Sequence, residues 1–186
     1  MKEELEVLKI VTSRLNDLNI SYLISGSIAG NYYTVPRMTR DIDIVIELTT
    51  SDINKFIDVF LNDFYLDKNM IENEVSRKGM FNIIHNEHII KIDFILPKDT
   101  DFQRSVLLRK KNVIIDNAQM WLISAEDLIL MKLLWAKESH SEMQLKDVSN
   151  MIATISNIDM NYIETWIKML GLEQLLIEAK KSGYKQ

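Results

Sequence analysis

Residues 22–48 read "YLISGSIAGNYYTVPRMTRDIDIVIEL", and the "DIDIVIE" at 41–47 decides the reading of the fold. Successive residues of a strand point to opposite faces. On that spacing Ile42, Ile44, Ile46 and Leu48 share one side, while Asp41, Asp43, Val45 and Glu47 share the other. Asp41 and Asp43 then lie about 6–7 Å apart along the backbone. Two like charges that close repel by about 1 kcal/mol in water, and by several times more at low effective dielectric. The plain reading is an antiparallel strand with one solvated face. The alternative is a strand whose carboxylates are held together by something positive.

Working backward, "ISYLIS" reads as a short buried strand broken by Gly26-Ser27, and "SIAGNYYTV" as a helix starting at Ser27 and ended by Pro36 or earlier. A Gly-Ser turn that leaves a strand and opens a helix exposes backbone N–H groups and a hydroxyl to an anion, although such turns also simply cap helices. Working forward, Asp93 interrupts the apolar "IIKIDFIL" and shares its face with Ile89, Lys91 and Ile95. A carboxylate inside such a run is expensive to bury unpaired. A salt bridge to Lys91 or an edge position accounts for Asp93 taken alone. Taken with Asp41 and Asp43, it completes an oxygen-rich set suited to a hard cation, Mg²⁺ or Mn²⁺.

Composition narrows the classes. The 186 residues, 47% hydrophobic and 26% charged, fit one globular domain, or one domain with a helical appendage. With no Cys, disulfides and thiolate metal sites are excluded and a reducing cytoplasm is the expected home. The amphipathic, charged "MKEELEVLKIVTSRL" is unlike a signal peptide, and no apolar run reaches the length of a membrane span, so no membrane partner is expected. A net charge of −5 gives no overall attraction to nucleic acid, leaving only local patches such as Arg109-Lys110-Lys111.

Apolar spacing predicts a helix over about residues 2–18 and another over "INKFIDVFLND" with Ser51-Asp52 as its cap, then a brief "FYL" strand. "KNMIENEVSRK" is a helix or an irregular connection. "MFNIIH" and "HIIKIDFIL" form a hairpin around Asn86-Glu87, and "RSVLLRKKNVIID" and "QMWLIS" a second strand pair around Asp116-Asn117. Beyond Ser124 the pattern is helical, with Gly171 at a helix end. The expected architecture is α/β (α+β): a small mixed sheet flanked by helices over residues 1–123, and a helical segment over 124–186 packed on it as one compact unit.

Lys132 lies on the helix that starts at Ser124, among Leu128, Ile129, Trp135 and Ala136. Either its stem snorkels over Trp135, or its ammonium aims inward at a phosphate or an acidic cluster. The next helix offers Lys146 and Asp147 beside Leu145, Val148, Met151 and Ile152. His85 and His88 flank a turn without a third nitrogen or sulfur ligand, which argues against zinc.

The ordered set of Gly26, Ser27, Asp41, Asp43 and Asp93 resembles the nucleotidyltransferase superfamily typified by DNA polymerase β: a strand, Gly-Ser, a carboxylate–apolar–carboxylate strand and a third carboxylate on a later strand. The stretch "SAEDLILMKLLWAKESHSEMQLKDVSNMI" is similar to minimal nucleotidyltransferases related to AbiEii-type toxins, at Lys132, Lys146 and Asp147. The resemblance implies catalytic and metal-holding roles for Asp41, Asp43 and Asp93, and nucleotide binding by Gly26, Ser27, Lys132, Lys146 and Asp147. It implies Mg²⁺-dependent transfer of a nucleoside monophosphate from an NTP to a hydroxyl acceptor. A toxin-like enzyme would modify RNA, tRNA or protein and have an antitoxin partner. The alternatives are an antibiotic-type enzyme with a small-molecule acceptor and a catalytically silent nucleotide-binding module.

Overall fold

The computed structural model describes residues 2–182. The chain runs α1 (Lys2–Asp17), β1 (Tyr22–Ile24), α2 (Gly26–Tyr33), β2 (Ile42–Ile46), α3 (Ile53–Phe60), β3 (Phe64–Tyr65), α4 (Lys68–Arg77), β4 (Met80–His85), β5 (Ile90–Ile95), α5 (Asp101–Leu108), β6 (Lys111–Ile115) and β7 (Ala118–Leu122). It continues through α6 (Ala125–Ser139), α7 (Glu142–Thr154), α8 (Met160–Leu170) and α9 (Glu173–Ser182). Among the described residues the strands form one mixed sheet, ordered β3-β4-β5-β2-β1-β7-β6. Two compact units are distinguished: the chain up to Ile28 with Met38–Leu122, and Ala29–Arg37 with the chain from Ile123 onward. No helix among the described residues is long and apolar enough to cross a membrane.

The first unit carries the sheet. Register aligns Ile42 with Ile92 and Ile44 with Phe94 across the parallel β2–β5 pair, and Phe81 with Phe94 and Ile83 with Ile92 across the antiparallel β4–β5 pair. These residues are buried on one face, and the α3 rings Phe56 and Phe60 join Phe94 and Phe81 in a cluster with centroids 4.6–6.5 Å apart. The opposite face of β2 is not a solvated face throughout, because Val45 is fully buried there while Glu47 is exposed. At one end of the aromatic cluster, Arg14 of α1 donates to both carboxylate oxygens of Asp63 at 2.7 Å. Its guanidinium lies 5.3 Å from the Phe60 ring centroid and 5.5 Å from that of Phe64.

Two local expectations are corrected. "RSVLL" is helical: Thr100 caps α5 by accepting from the Gln103 N–H at 3.2 Å, and Phe102 and Val106 bury one face at i,i+4 spacing. Arg109 is thus the C-cap of α5 and Lys111 opens β6. The hairpin turn falls on Asp116-Asn117, where the sequence places it, both with positive φ as a tight hairpin demands. Lys110 turns toward the chain instead, donating to Ser21 Oγ at 2.8 Å beneath the Trp121 ring. At α3, Asp52 has helical φ and ψ, and its side chain does not bond into the helix; it accepts from the Thr49 N–H and hydroxyl.

The second unit is helical. Ser124 caps α6 by accepting from the Asp127 N–H and returns its hydroxyl hydrogen to Asp127 Oδ2 at 2.6 Å. Tyr162 of α8 donates to Asp127 Oδ1 at 2.6 Å, so this fully buried carboxylate is braced on both oxygens. Gly171, with φ +62, ends α8, and Lys137 donates to the carbonyls of Leu170 and Gly171.

One turn is under strict steric demand. Gly26 has φ +60, and a Cβ there would fall 1.8 Å from Asp43 Oδ2. Alanine must therefore adopt a left-handed backbone and also displace the Asp43 side chain. Gly26→Ala should lose about 2–4 kcal/mol in urea unfolding; parental stability would show that Asp43 does not pack on this glycine. A second measurement concerns acid. Hydrogen bonding to Arg14 is the main cause holding the Asp63 carboxyl below the usual carboxylate range, against opposing desolvation. A depressed carboxyl contributes stability above its unfolded pKa, about 3.9, and that stability is lost as pH falls through the folded value. Arg14→Met should cost about 1–2 kcal/mol at neutral pH, with the gap to the parent narrowing as pH falls below about 4. A gap independent of pH would mean that only packing had been lost.

Candidate active site

Parallel pairing of β2 with β5 sets Asp43 directly beside Asp93, with strands about 4.8 Å apart. Asn82 of β4 is the register partner of Asp93 on its other side. Asp41 lies one residue before β2 with its side chain 58% exposed, whereas the Asp93 side chain is 10% exposed. Lys91, two residues before Asp93 on the same strand face, places Nζ 2.7 Å from Asp93 Oδ2 and 3.9 Å from Asp41 Oδ2. The positive charge that the paired carboxylates demand is therefore present in the chain. The salt bridge from Lys91 to Asp93, one of the explanations the sequence offered for this residue, is formed, and Asp43 lies in register beside Asp93.

The hydrogen bond to Asp93 raises the Lys91 pKa most, assisted by the charges of Asp93, Asp41 and Asp43, while burial opposes the shift. A lysine raised in this way contributes stability that is complete at neutral pH and is lost only as pH climbs through its folded pKa. The charges of three carboxylates thus act on this one ammonium. Asp93 Oδ1 is buried with no hydrogen-bond partner. Among the described residues no three carboxylate or imidazole side chains are drawn together as a metal centre. The donors on offer are nonetheless all carboxylate oxygens, one of them buried and unpartnered, which is the chemistry a hard divalent cation takes.

The turn before α2 is tied to this strand. The Ser25 N–H donates to the Asp43 carbonyl at 2.8 Å, and the Ser25 hydroxyl is fully buried without a hydrogen-bond partner. Ser27 follows as the second residue of α2, half-buried. Sequence reasoning passed over Ser25 and Asn82. No pattern marked Ser25, and Asn82 becomes visible only once the β4–β5 register is known.

In the second unit Lys132 is 1% exposed, so its ammonium does not snorkel to water. Nζ donates to Asp147 Oδ2 at 2.8 Å and to Gln144 Oε1 at 3.1 Å. Arg37 donates to the same Asp147 oxygen at 3.3 Å. Its backbone is held by Asn31, which donates to the Arg37 carbonyl at 2.8 Å and accepts from the Arg37 N–H at 2.9 Å. Arg37 was not foreseen, because nothing in its flanking loop sets its partner. Lys146 is exposed on α7 and, among the described residues, makes no hydrogen bond or ion pair with this group.

No family model matches the chain, and no curated protein matches it. Solved structures do. An antigenic nucleotidyltransferase-like protein from Paracoccidioides brasiliensis superimposes with a TM-score of 0.57 at 17% identity, covering 96% of this chain and 93% of its own. A lincosamide antibiotic adenylyltransferase in its lincomycin-bound form gives 0.55 at 14% identity, covering 83% of this chain and 98% of its own. The antibiotic-resistance factor ANT(2″)-Ia in solution gives 0.58 at 11% identity, covering 98% of each chain. By its mixed sheet, its helices and these superpositions, the chain has a nucleotidyltransferase-like fold.

Proposed function

We propose that the chain is a Mg²⁺- or Mn²⁺-dependent nucleotidyltransferase that moves a nucleoside monophosphate from an NTP to a hydroxyl acceptor and releases pyrophosphate. The observation that carries this reading is the in-register placement of Asp43 and Asp93 on adjacent parallel strands, with Asp41 next to them and one Asp93 oxygen buried and unpartnered. Asp41, Asp43 and Asp93 would hold the ions, which when bound supply positive charge against the triphosphate and the acceptor oxygen. Gly26, Ser27 and the N–H groups opening α2 would receive phosphate oxygens. Asp93 is the base for the acceptor hydroxyl. The acceptor oxygen bonds to the α-phosphorus, the bond to pyrophosphate breaks, and the hydroxyl proton passes to the carboxylate.

The roles of Lys132, Lys146 and Asp147 as nucleotide-binding residues rest on their motif and on the buried Lys132 ammonium. The AbiEii-like reading, with RNA, tRNA or protein as acceptor and an antitoxin partner, rests on that motif alone. A small-molecule acceptor draws support from two observations. The two antibiotic-related structures each match over 98% of their own length, and Lys110 is engaged with Ser21 and Trp121 rather than offered in a basic strip. Incubating the protein with labelled NTP and Mg²⁺ in a whole-cell extract, then fractionating by size and by nuclease or protease sensitivity, separates these acceptors. No labelled product from any NTP would leave a silent nucleotide-binding module.

Asp43→Asn keeps shape and removes one charge, so metal-dependent turnover should fall about 100-fold or more in a folded protein. Turnover at the parental rate would end the metal-site reading. Lys132→Met keeps the stem but leaves Asp147 with only part of its positive surroundings. Its unfolding free energy should drop by about 1–3 kcal/mol, and NTP affinity, measured directly by calorimetry, should fall about tenfold. Lower stability with unchanged NTP affinity would make Lys132 a structural partner of Asp147 alone.

A further inference from the structure

We propose that Lys91 is an internal counter-cation of the carboxylate group, which a divalent ion must displace, so that the nucleotide-free protein binds metal weakly and nucleotide strengthens that binding. The inference rests on the reading of Asp41, Asp43 and Asp93 as metal-holding residues. The Lys91 ammonium lies 2.7 Å from Asp93 Oδ2 and 3.9 Å from Asp41 Oδ2. The ammonium takes up lone pairs that a divalent ion would use on those oxygens, and at such separations their charges repel.

Lys91 is also an incomplete occupant. It satisfies Oδ2 of Asp93 and leaves the buried Oδ1 without a partner. Its backbone is fixed in β5, opposite Ile84 of β4, but its side chain is 40% exposed. The ammonium can therefore leave by rotating a solvated stem, with no change in the sheet. Once displaced it stays within one side-chain length of the carboxylates, where a polyphosphate offers it new oxygens. A cation arriving alone must strip Lys91 of its partner; a cation arriving with polyphosphate exchanges that partner for another. This differential contact is what coupling between two ligands requires.

The test is equilibrium binding of Mn²⁺ followed by electron paramagnetic resonance, with and without a non-reactive α,β-methylene ATP analogue. Lys91→Met without nucleotide should bind Mn²⁺ at least about tenfold more tightly than the parent, and the analogue should strengthen Mn²⁺ binding less in the variant. Lys91→Arg should behave as the parent. If Lys91→Met does not fold, Lys91→Gln, which keeps a hydrogen bond without the charge, gives the same comparison. Equal Mn²⁺ affinity in parent and variant, with weakened binding in Asp93→Asn, would overturn the role of Lys91 and leave the metal site standing. Failure of every form to bind Mn²⁺, analogue present or not, would remove the metal site itself and the proposal with it.

Discussion

The pairing of β2 with β5 is the constraint on which the first unit depends. Once Ile42 lies beside Ile92 and Ile44 beside Phe94, the two-residue period of a strand leaves no freedom: Asp43 must lie beside Asp93 on the other face. A slip of β2 by one residue would turn Asp43 toward the aromatic cluster around Phe56 and carry Ile42 and Ile44 to the other face. The burial of Ile42, Ile44, Ile92 and Phe94 therefore holds the carboxylates together against their repulsion. Hydrophobic register positions the acids, and Lys91 lowers the electrostatic penalty.

Much of this was legible because it is written in short-range periodicity. The alternation at 41–48, the run around Asp93, the hairpin at 80–95 and the helices beyond Ser124 follow from local spacing, and the structure has them. Less legible were features set by distant chain. "RSVLL" has enough β-branched and aliphatic character to pass as a strand; the Thr100 cap and the burial of Phe102 and Val106 decide for helix. Lys91 was visible only as a competing explanation for Asp93, since the sequence cannot tell whether a lysine neutralises one carboxylate or reaches toward a second. Arg37 and Ser25 gave no signal, because their partners are fixed by tertiary position.

The second unit shows the same economy in a helical setting. Lys132 sits in a stripe of Leu, Ile and Trp, where an uncompensated ammonium would be strongly unfavourable. Asp147 and Gln144 from the next helix supply acceptors, and Arg37 adds a second cation to the same carboxylate oxygen. Asp147 Oδ2 thus accepts from two cations, which is how a buried ammonium is tolerated on this helix.

On β5 the charged residues are likewise costly for packing alone. For the sheet alone, isoleucine at positions 91 and 93 would serve better than a lysine and an aspartate, because a partly buried pair recovers little more than its own desolvation. Lys91 and Asp93 offset each other, yet that exchange still leaves Asp93 Oδ1 buried without a partner and Asp43 beside it as a like charge. Local sequence rules are otherwise obeyed along this strand, from Ile90 through Ile92 and Phe94. A departure confined to one face, on the strand paired in register with the other carboxylates, is the pattern expected where stability is given up for a binding function.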